Sequence, residues 1–256
     1  MKLLIQPEDG IAPLLAAIKK AKKSVDIVIF RFDRAELEAA LRDAAERGVS
    51  VSALFAYANH GGEKSLRKLE MRLLEAGVAV SRTADVLARY HDKLLIIDRR
   101  LLFVLSFNFT HLDIDHSRGF GIVTKKGKLV QEALKLLKAD NDRTPYVAGL
   151  DTFVVSPVNA RKQLLALIKR AQKELLVYDP KIADAEMLRA LSERAKQGVD
   201  VRVIGTIGRH STRLKVRPLG GFPVHTRADD ILPFSTGPIR MRMDIRYSSY
   251  KRFGAE

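Results

Sequence analysis

Residues 89–110 read R-Y-H-D-K-L-L-I-I-D-R-R-L-L-F-V-L-S-F-N-F-T, an apolar run into which a histidine, a lysine, a serine and an asparagine are set. Side chains two apart on a strand share a face, so His91 and Lys93 point one way together, as do Ser106 and Asn108. Asp98-Arg99-Arg100 is the polar break between the two apolar stretches, which predicts a β-hairpin over 92–107 turning about Arg99. Folding there sets Lys93 near Leu105 or Ser106, and His91 near Asn108. Four polar groups then converge at the open end. Asp98 lies at the other end, where it fixes the turn or pairs with an arginine. Buried polar groups are costly unless paired, and a phosphodiester suits this set. An imidazole attacks phosphorus. An ammonium and a carboxamide hold the non-bridging oxygens while charge shifts. Phosphoryl transfer of this kind asks mainly for positioning and electrostatics, which the cluster supplies without a metal.

The elements that must position these groups repeat. LLAAIKKAKKSVDIVIF (14–30) aligns with LLALIKRAQKELLVYDP (164–180), and AELEAALRDAAERGVSV (35–51) with AEMLRALSERAKQGVDV (185–201), both at one gapless offset. Ala16, Ile18, Lys19, Ala21 and Lys23 recur as Ala166, Ile168, Lys169, Ala171 and Lys173. Within the first unit the pattern predicts helix 11–22, strand 24–30, helix 35–47 ending at Gly48, and strand 49–55. Helix 63–76 ending at Gly77 and strand 78–80 follow. Alternating strands and helices imply an α/β fold with mostly parallel sheets covered on both faces, to which the hairpin adds an antiparallel pair. The halves are expected at 1–145 and 146–256, linked through NDRTPYVAG (141–149). Phe30, Phe32 and Phe55 fall on strands and are expected in the core.

Composition bounds the rest. The chain of 256 residues is 46% hydrophobic and 29% charged, an ordinary globular balance with material for a sizeable core. The absence of cysteine excludes disulfides, a thiolate nucleophile and cysteine zinc sites. The net charge of +15 fits either a solvated surface or a polyanionic partner, nucleic acid or an anionic membrane. Aromatic residues are few, with no tryptophan, which argues against a base-stacking platform. No signal peptide or membrane span is read from the sequence, so the expected location is cytoplasmic, peripheral at a membrane if the substrate is lipid.

H-D-K-L-L-I-I-D followed by L-S-F-N resembles the H-x-K-x4-D and G-S-x-N signature of the phospholipase D superfamily, many of whose members carry two homologous halves. The resemblance implies two α/β/α halves with the active site at their pseudo-twofold interface. It implies a phosphohistidine on one histidine, protonation of the leaving group by the other, and no cofactor. By motif position His91 and Lys93 are catalytic, Ser106 and Asn108 bind phosphate, and Asp98 is structural. In the second half V-H-T-R-A-D-D-I-L offers His225 as the other catalytic histidine and Arg227 as a phosphate-binding cation, since arginine keeps the charge and adds a forked donor.

This sequence departs from the signature at several places. Leu105 stands where the family has glycine, and its bulk is expected to crowd the phosphate pocket. Gly119 stands near where members often carry an acid that orients a histidine; Asp113 and Asp115 are the acids nearby. Leu232 occupies the position of the second motif's aspartate, and 228–256 lacks both apolar strands and any S-x-N. Three readings of that tail stay open: a second half drifted into a scaffold, a truncated or altered tail, or a different fold that still presents His225. If the second half is inactive, two first halves in a homodimer supply the site; otherwise the chain works as a monomer. His60, His116, Arg118, Arg209 and His210 are read as surface or rim residues. The substrate expected is a phospholipid or another phosphodiester. A metal-independent nuclease and a non-catalytic phosphate-binding module are the alternatives.

Overall fold

Val25, Ile27 and Ile29 alternate along one strand, Val51, Ala53 and Phe55 along the next, and all six are buried on one face of a sheet. The structure, a computed structural model, describes residues 1–57, 63–86, 89–206, 215–218 and 240–243. It divides into two units, Met1–Phe153 and Val154–Glu256.

In chain order the first unit holds β1 (Lys2–Gln6), α1 (Ala12–Lys19), β2 (Ser24–Ile29), α2 (Ala35–Glu46), β3 (Ser50–Phe55) and α3 (Glu63–Glu75). It continues with β4 (Ala79–Arg82), β5 (Leu94–Ile97), β6 (Leu101–Leu105), α4 (His111–Asp115), β7 (Gly119–Thr124) and α5 (Gly127–Asn141). Its seven strands form one sheet in the order β1-β7-β6-β5-β2-β3-β4. Strands β1, β2, β3, β4 and β6 run one way, so the sheet is mostly parallel in direction; β5 and β7 run against them. Leu14 and Ile18 of α1, Leu37 and Leu41 of α2, and Leu66, Leu69 and Leu73 of α3 share the core with β2 and β3. Gly48 and Gly77 follow α2 and α3 with φ of +80°, the left-handed geometry that ends a helix at little cost only for glycine.

β1, β7 and α5 were not anticipated as elements. MKLLIQ becomes the edge strand β1 because GFGIVT of β7 offers it an antiparallel partner, Lys2 opposite Val123 through Gln6 opposite Gly119. The unit also ends later than 145. Past α5, Tyr146 donates its hydroxyl to Glu132 Oε1 at 2.5 Å and the Gly149 N–H donates to the same oxygen at 2.7 Å. The buried Phe153 closes that segment.

The second unit contains α6 (Ala160–Arg170), β8 (Glu174–Lys181), α7 (Ala185–Lys196), β9 (Asp200–Thr206), β10 (Lys215–Pro218) and β11 (Arg240–Met243). β8 and β9 pair in parallel from Glu174 opposite Asp200, as β2 and β3 pair from Ser24 opposite Ser50, which carries the sequence repeat into strand register. Leu165, Ile168, Ala190, Leu191, Val199 and Val201 form its core. β10 and β11 pair in parallel with each other. His60, Arg209, His210, His225, Arg227 and Leu232 lie outside the described residues. Among the described residues no helix is long and apolar enough to cross a membrane.

Candidate active site

The hairpin of β5 and β6 turns where expected. Ile97 pairs with Leu101, and the Arg100 N–H donates to the Ile97 carbonyl at 2.9 Å. Asp98 and Arg99 between them have φ of 52° and 54°, the positive pair of a type I′ turn. Among the described residues Asp98 pairs with no arginine. Its Oδ1 accepts the N–H groups of Lys22 at 3.0 Å, Lys23 at 2.6 Å and Ser24 at 3.0 Å, which ties the turn to the start of β2. Those bonds hold its carboxyl below the usual range against the opposing effect of burial.

At the open end, the Leu105 N–H donates to the Lys93 carbonyl at 3.0 Å, so the register places Lys93 opposite Leu105. Lys93 is 2% exposed, and its ammonium donates to the His91 carbonyl at 2.5 Å. His91 packs its imidazole against Phe30, ring centroids 4.7 Å apart and nearly perpendicular, while the residue stays open to solvent. Three cations gather round the same phenyl ring: Lys93 Nζ at 5.0 Å from its centroid, Arg89 at 5.2 Å and Arg31 at 5.7 Å. Phe30 is therefore buried, as expected, but serves the site as well as the core.

Electrostatics follow from that grouping. Desolvation on its packed side, then the charges of Lys93, Arg89 and Arg31, push the His91 imidazole down to about 4, with Asp113 opposing. Burial pushes Lys93 down to about 8, although Asp92 favours its charge. At neutral pH His91 is thus an uncharged imidazole beside a cationic lysine. Behind them Tyr90 donates to Asp140 Oδ2 at 2.8 Å. Asp92 is raised to about 6, first by burial and then by the charge of Asp140.

Asn108 is buried and joins this group through Asp113. Asp113 Oδ2 accepts both the Asn108 N–H and its side-chain amide, each at 2.7 Å. Asn108 Oδ1 is a buried acceptor without a partner among the described residues. Asp113 is itself placed by Thr110, which caps α4 by accepting the Asp113 N–H at 3.2 Å. The chain after β2 runs alongside: the Phe109 N–H donates to the Arg31 carbonyl at 3.2 Å and the Asp33 N–H to the Phe109 carbonyl at 3.0 Å. This seam brings Phe30 and Arg31 to the motif.

Two expectations need correction. Ser106 is tied to β7 rather than to the other three groups: its hydroxyl oxygen accepts the Phe120 N–H at 2.9 Å and its own N–H donates to the Phe120 carbonyl at 2.8 Å. Among the described residues no acceptor takes its hydroxyl proton. Leu105 does not crowd a phosphate pocket, because its side chain joins the core opposite Gly121, where a Cβ would sit 2.8 Å from Leu105 Cδ2. Gly119 has a matching reason, since a Cβ there would lie 3.1 Å from the Phe107 side chain. Of the acids nearby, Asp113 serves Asn108, whereas Asp115 pairs with Arg34 at 2.5 Å and with His111 at 3.1 Å. Arg118 pairs with Glu8 at 2.5 Å, and His116 is exposed. The part Phe30 plays in the site, Arg31, Arg89 and the use of Asp113 went unread in the sequence, although Arg89 stands two residues before His91 as Lys93 stands two after.

Residues 14–141, half of the chain, match the family model described as cardiolipin synthase, PLD-like domain. The chain belongs to the phospholipase D superfamily. Among solved structures it resembles a phospholipase D family member, Nuc from Salmonella typhimurium, with 23% identity and a TM-score of 0.51 over 58% of this chain and 97% of that one. It also resembles polyphosphate kinase from Porphyromonas gingivalis, with 19% identity and a TM-score of 0.62 over 81% of this chain and 38% of that one. A third likeness is to phosphatidylserine synthase from Haemophilus influenzae Rd KW20, with 10% identity and a TM-score of 0.59 over 78% and 60%. These likenesses are of fold. No curated protein matches the chain. Phosphodiester chemistry is plausible for a member of this superfamily.

Proposed function

We propose that the protein is a phosphodiesterase that hydrolyses or transfers a phosphodiester through a phosphohistidine on His91. The observation that carries this reading is the His91 imidazole seated on Phe30 beside the buried ammonium of Lys93, a setting that favours its uncharged form. In the first step an imidazole nitrogen bonds to phosphorus while the bond to the leaving oxygen breaks. The leaving oxygen takes a proton from the second histidine, assigned to His225 by motif position. Water or an acceptor alcohol, giving its proton back to that histidine, then displaces His91 and restores both groups. Lys93, Asn108, Ser106 and Arg227 are assigned to the phosphate oxygens, and Asp98 to holding the hairpin. Phospholipid is the first substrate class by family resemblance, and a nucleic-acid phosphodiester is the alternative that the +15 charge supports.

The test is hydrolysis of a chromogenic phosphodiester in EDTA by the wild type, His91→Ala and His225→Ala. Loss of turnover in both variants, with folding retained, is expected. Loss in His91→Ala alone would reassign the second histidine to another copy of the first half. No turnover by folded wild type would overturn the reading in favour of a phosphate-binding module.

A further inference from the structure

Four arginines of the first unit are matched by acids. Arg34 meets Glu36 and Asp115, Arg72 meets Glu38, Arg82 meets Glu70, and Arg118 meets Glu8. Arg31 and Arg89 differ: both are exposed, both sit over Phe30 beside His91, and neither pairs with a carboxylate among the described residues. The acids around them are taken. Asp113 accepts from Asn108, and Asp33 accepts the His111 N–H at 2.7 Å. Asp92 faces the buried Tyr90 and Asp140 group.

Three cations around one ring repel each other: Arg89 and Arg31 disfavour the charge on Lys93, and all three disfavour a charge on His91. An arrangement that costs free energy when empty is relieved when anions arrive. One phosphodiester carries a single negative charge, which Lys93 alone balances. Two further guanidiniums exceed that need. They are forked donors suited to a phosphate rather than to an ester oxygen.

We infer that Arg31 and Arg89 form a second phosphate subsite, so that the substrate is a phosphodiester bearing another phosphate next to the scissile one. This rests on the phosphodiesterase reading and specifies its substrate. The second phosphate is the shared chemistry of a nucleotide strand and of a lipid with a phosphorylated head group.

The experiment compares paired substrates. In one arm they are a thymidine dinucleotide with and without terminal phosphates; in the other they are micellar phosphatidylglycerol with and without a phosphate on its glycerol head. Each is run with wild type, Arg31→Gln/Arg89→Gln and Arg31→Lys/Arg89→Lys. The added phosphate is expected to raise kcat/KM at least about tenfold in one arm, the gain of charge-assisted contacts. The glutamine variant should lose that gain, and the lysine variant should keep part of it. The arm that shows the gain identifies the source. Turnover with no gain in either arm, or a gain that survives in the glutamine variant, would overturn the subsite and leave the phosphodiesterase reading standing. If nothing turns over, that reading fails instead. The subsite is then decided by binding: dinucleotide affinity must rise with the terminal phosphates in wild type and not in the glutamine variant.

Discussion

Replacing Asp98 separates what the motif aspartate does for the fold from what the motif does for chemistry. Its carboxylate gathers three N–H groups at the junction of α1 and β2, from a residue held at φ 52°. Bonds to a charged acceptor contribute about 1.5–3 kcal/mol, and the lower part of that range applies where the partners are near the surface. Asp98→Asn keeps one acceptor oxygen and tolerates positive φ, so it should lose about 1 kcal/mol. Asp98→Gly loses the acceptor but relaxes the backbone. Asp98→Ala loses the acceptor and keeps the strain, which adds about 1 kcal/mol and makes it the least stable of the three, by about 2–4 kcal/mol in all. Urea unfolding at neutral pH gives the ranking. The sign with pH follows from the carboxyl being held below its usual value: its contribution is present above about pH 4 and lost as acid protonates the folded form. Wild type and Asp98→Asn should therefore converge in acid. Wild-type stability for Asp98→Ala, or convergence at high pH instead, would refute the anchoring argument.

The pH dependence of phosphodiester hydrolysis should be bell-shaped. Activity should fall in acid as His91 protonates near its lowered value of about 4, and in base as Lys93 loses its charge near about 8; a pH–rate profile checks both limbs. Asp92→Asn should raise the urea midpoint at pH 8 and leave it unchanged at pH 4. A carboxyl raised to about 6 by burial lowers native stability as pH climbs from its unfolded value through that point.

The repeat, the hairpin and its register were legible because each rests on a local rule: helical spacing, strand alternation, or a polar break between apolar runs. His91 and Lys93 were legible as a pair two apart on one strand. Phe30, Arg31 and Asp113 were not, since a seam between Arg31, Asp33 and Phe109 and a capped turn at Thr110 bring them to the site. No spacing rule connects residues 30 and 91. Ser106 was read only in part for a related reason: alternation beyond β6 gives its face, but the backbone of β7 decides what its hydroxyl oxygen meets. β1 went unread because an edge strand needs only a short apolar run once a partner edge exists.

Leu105 and Gly121 bear on how such a sequence can change. The leucine fills the space that the absent Cβ of the glycine leaves, across one pair of strands. A glycine at 105 alone, restoring the family signature, would empty a leucine-sized volume from the core, and a larger residue at 121 alone would collide with the leucine. Each single step is penalised although the exchanged pair need not be. The two positions therefore mutate as a coupled unit, and the signature glycine cannot be regained here without passing through a less stable protein or changing both strands together.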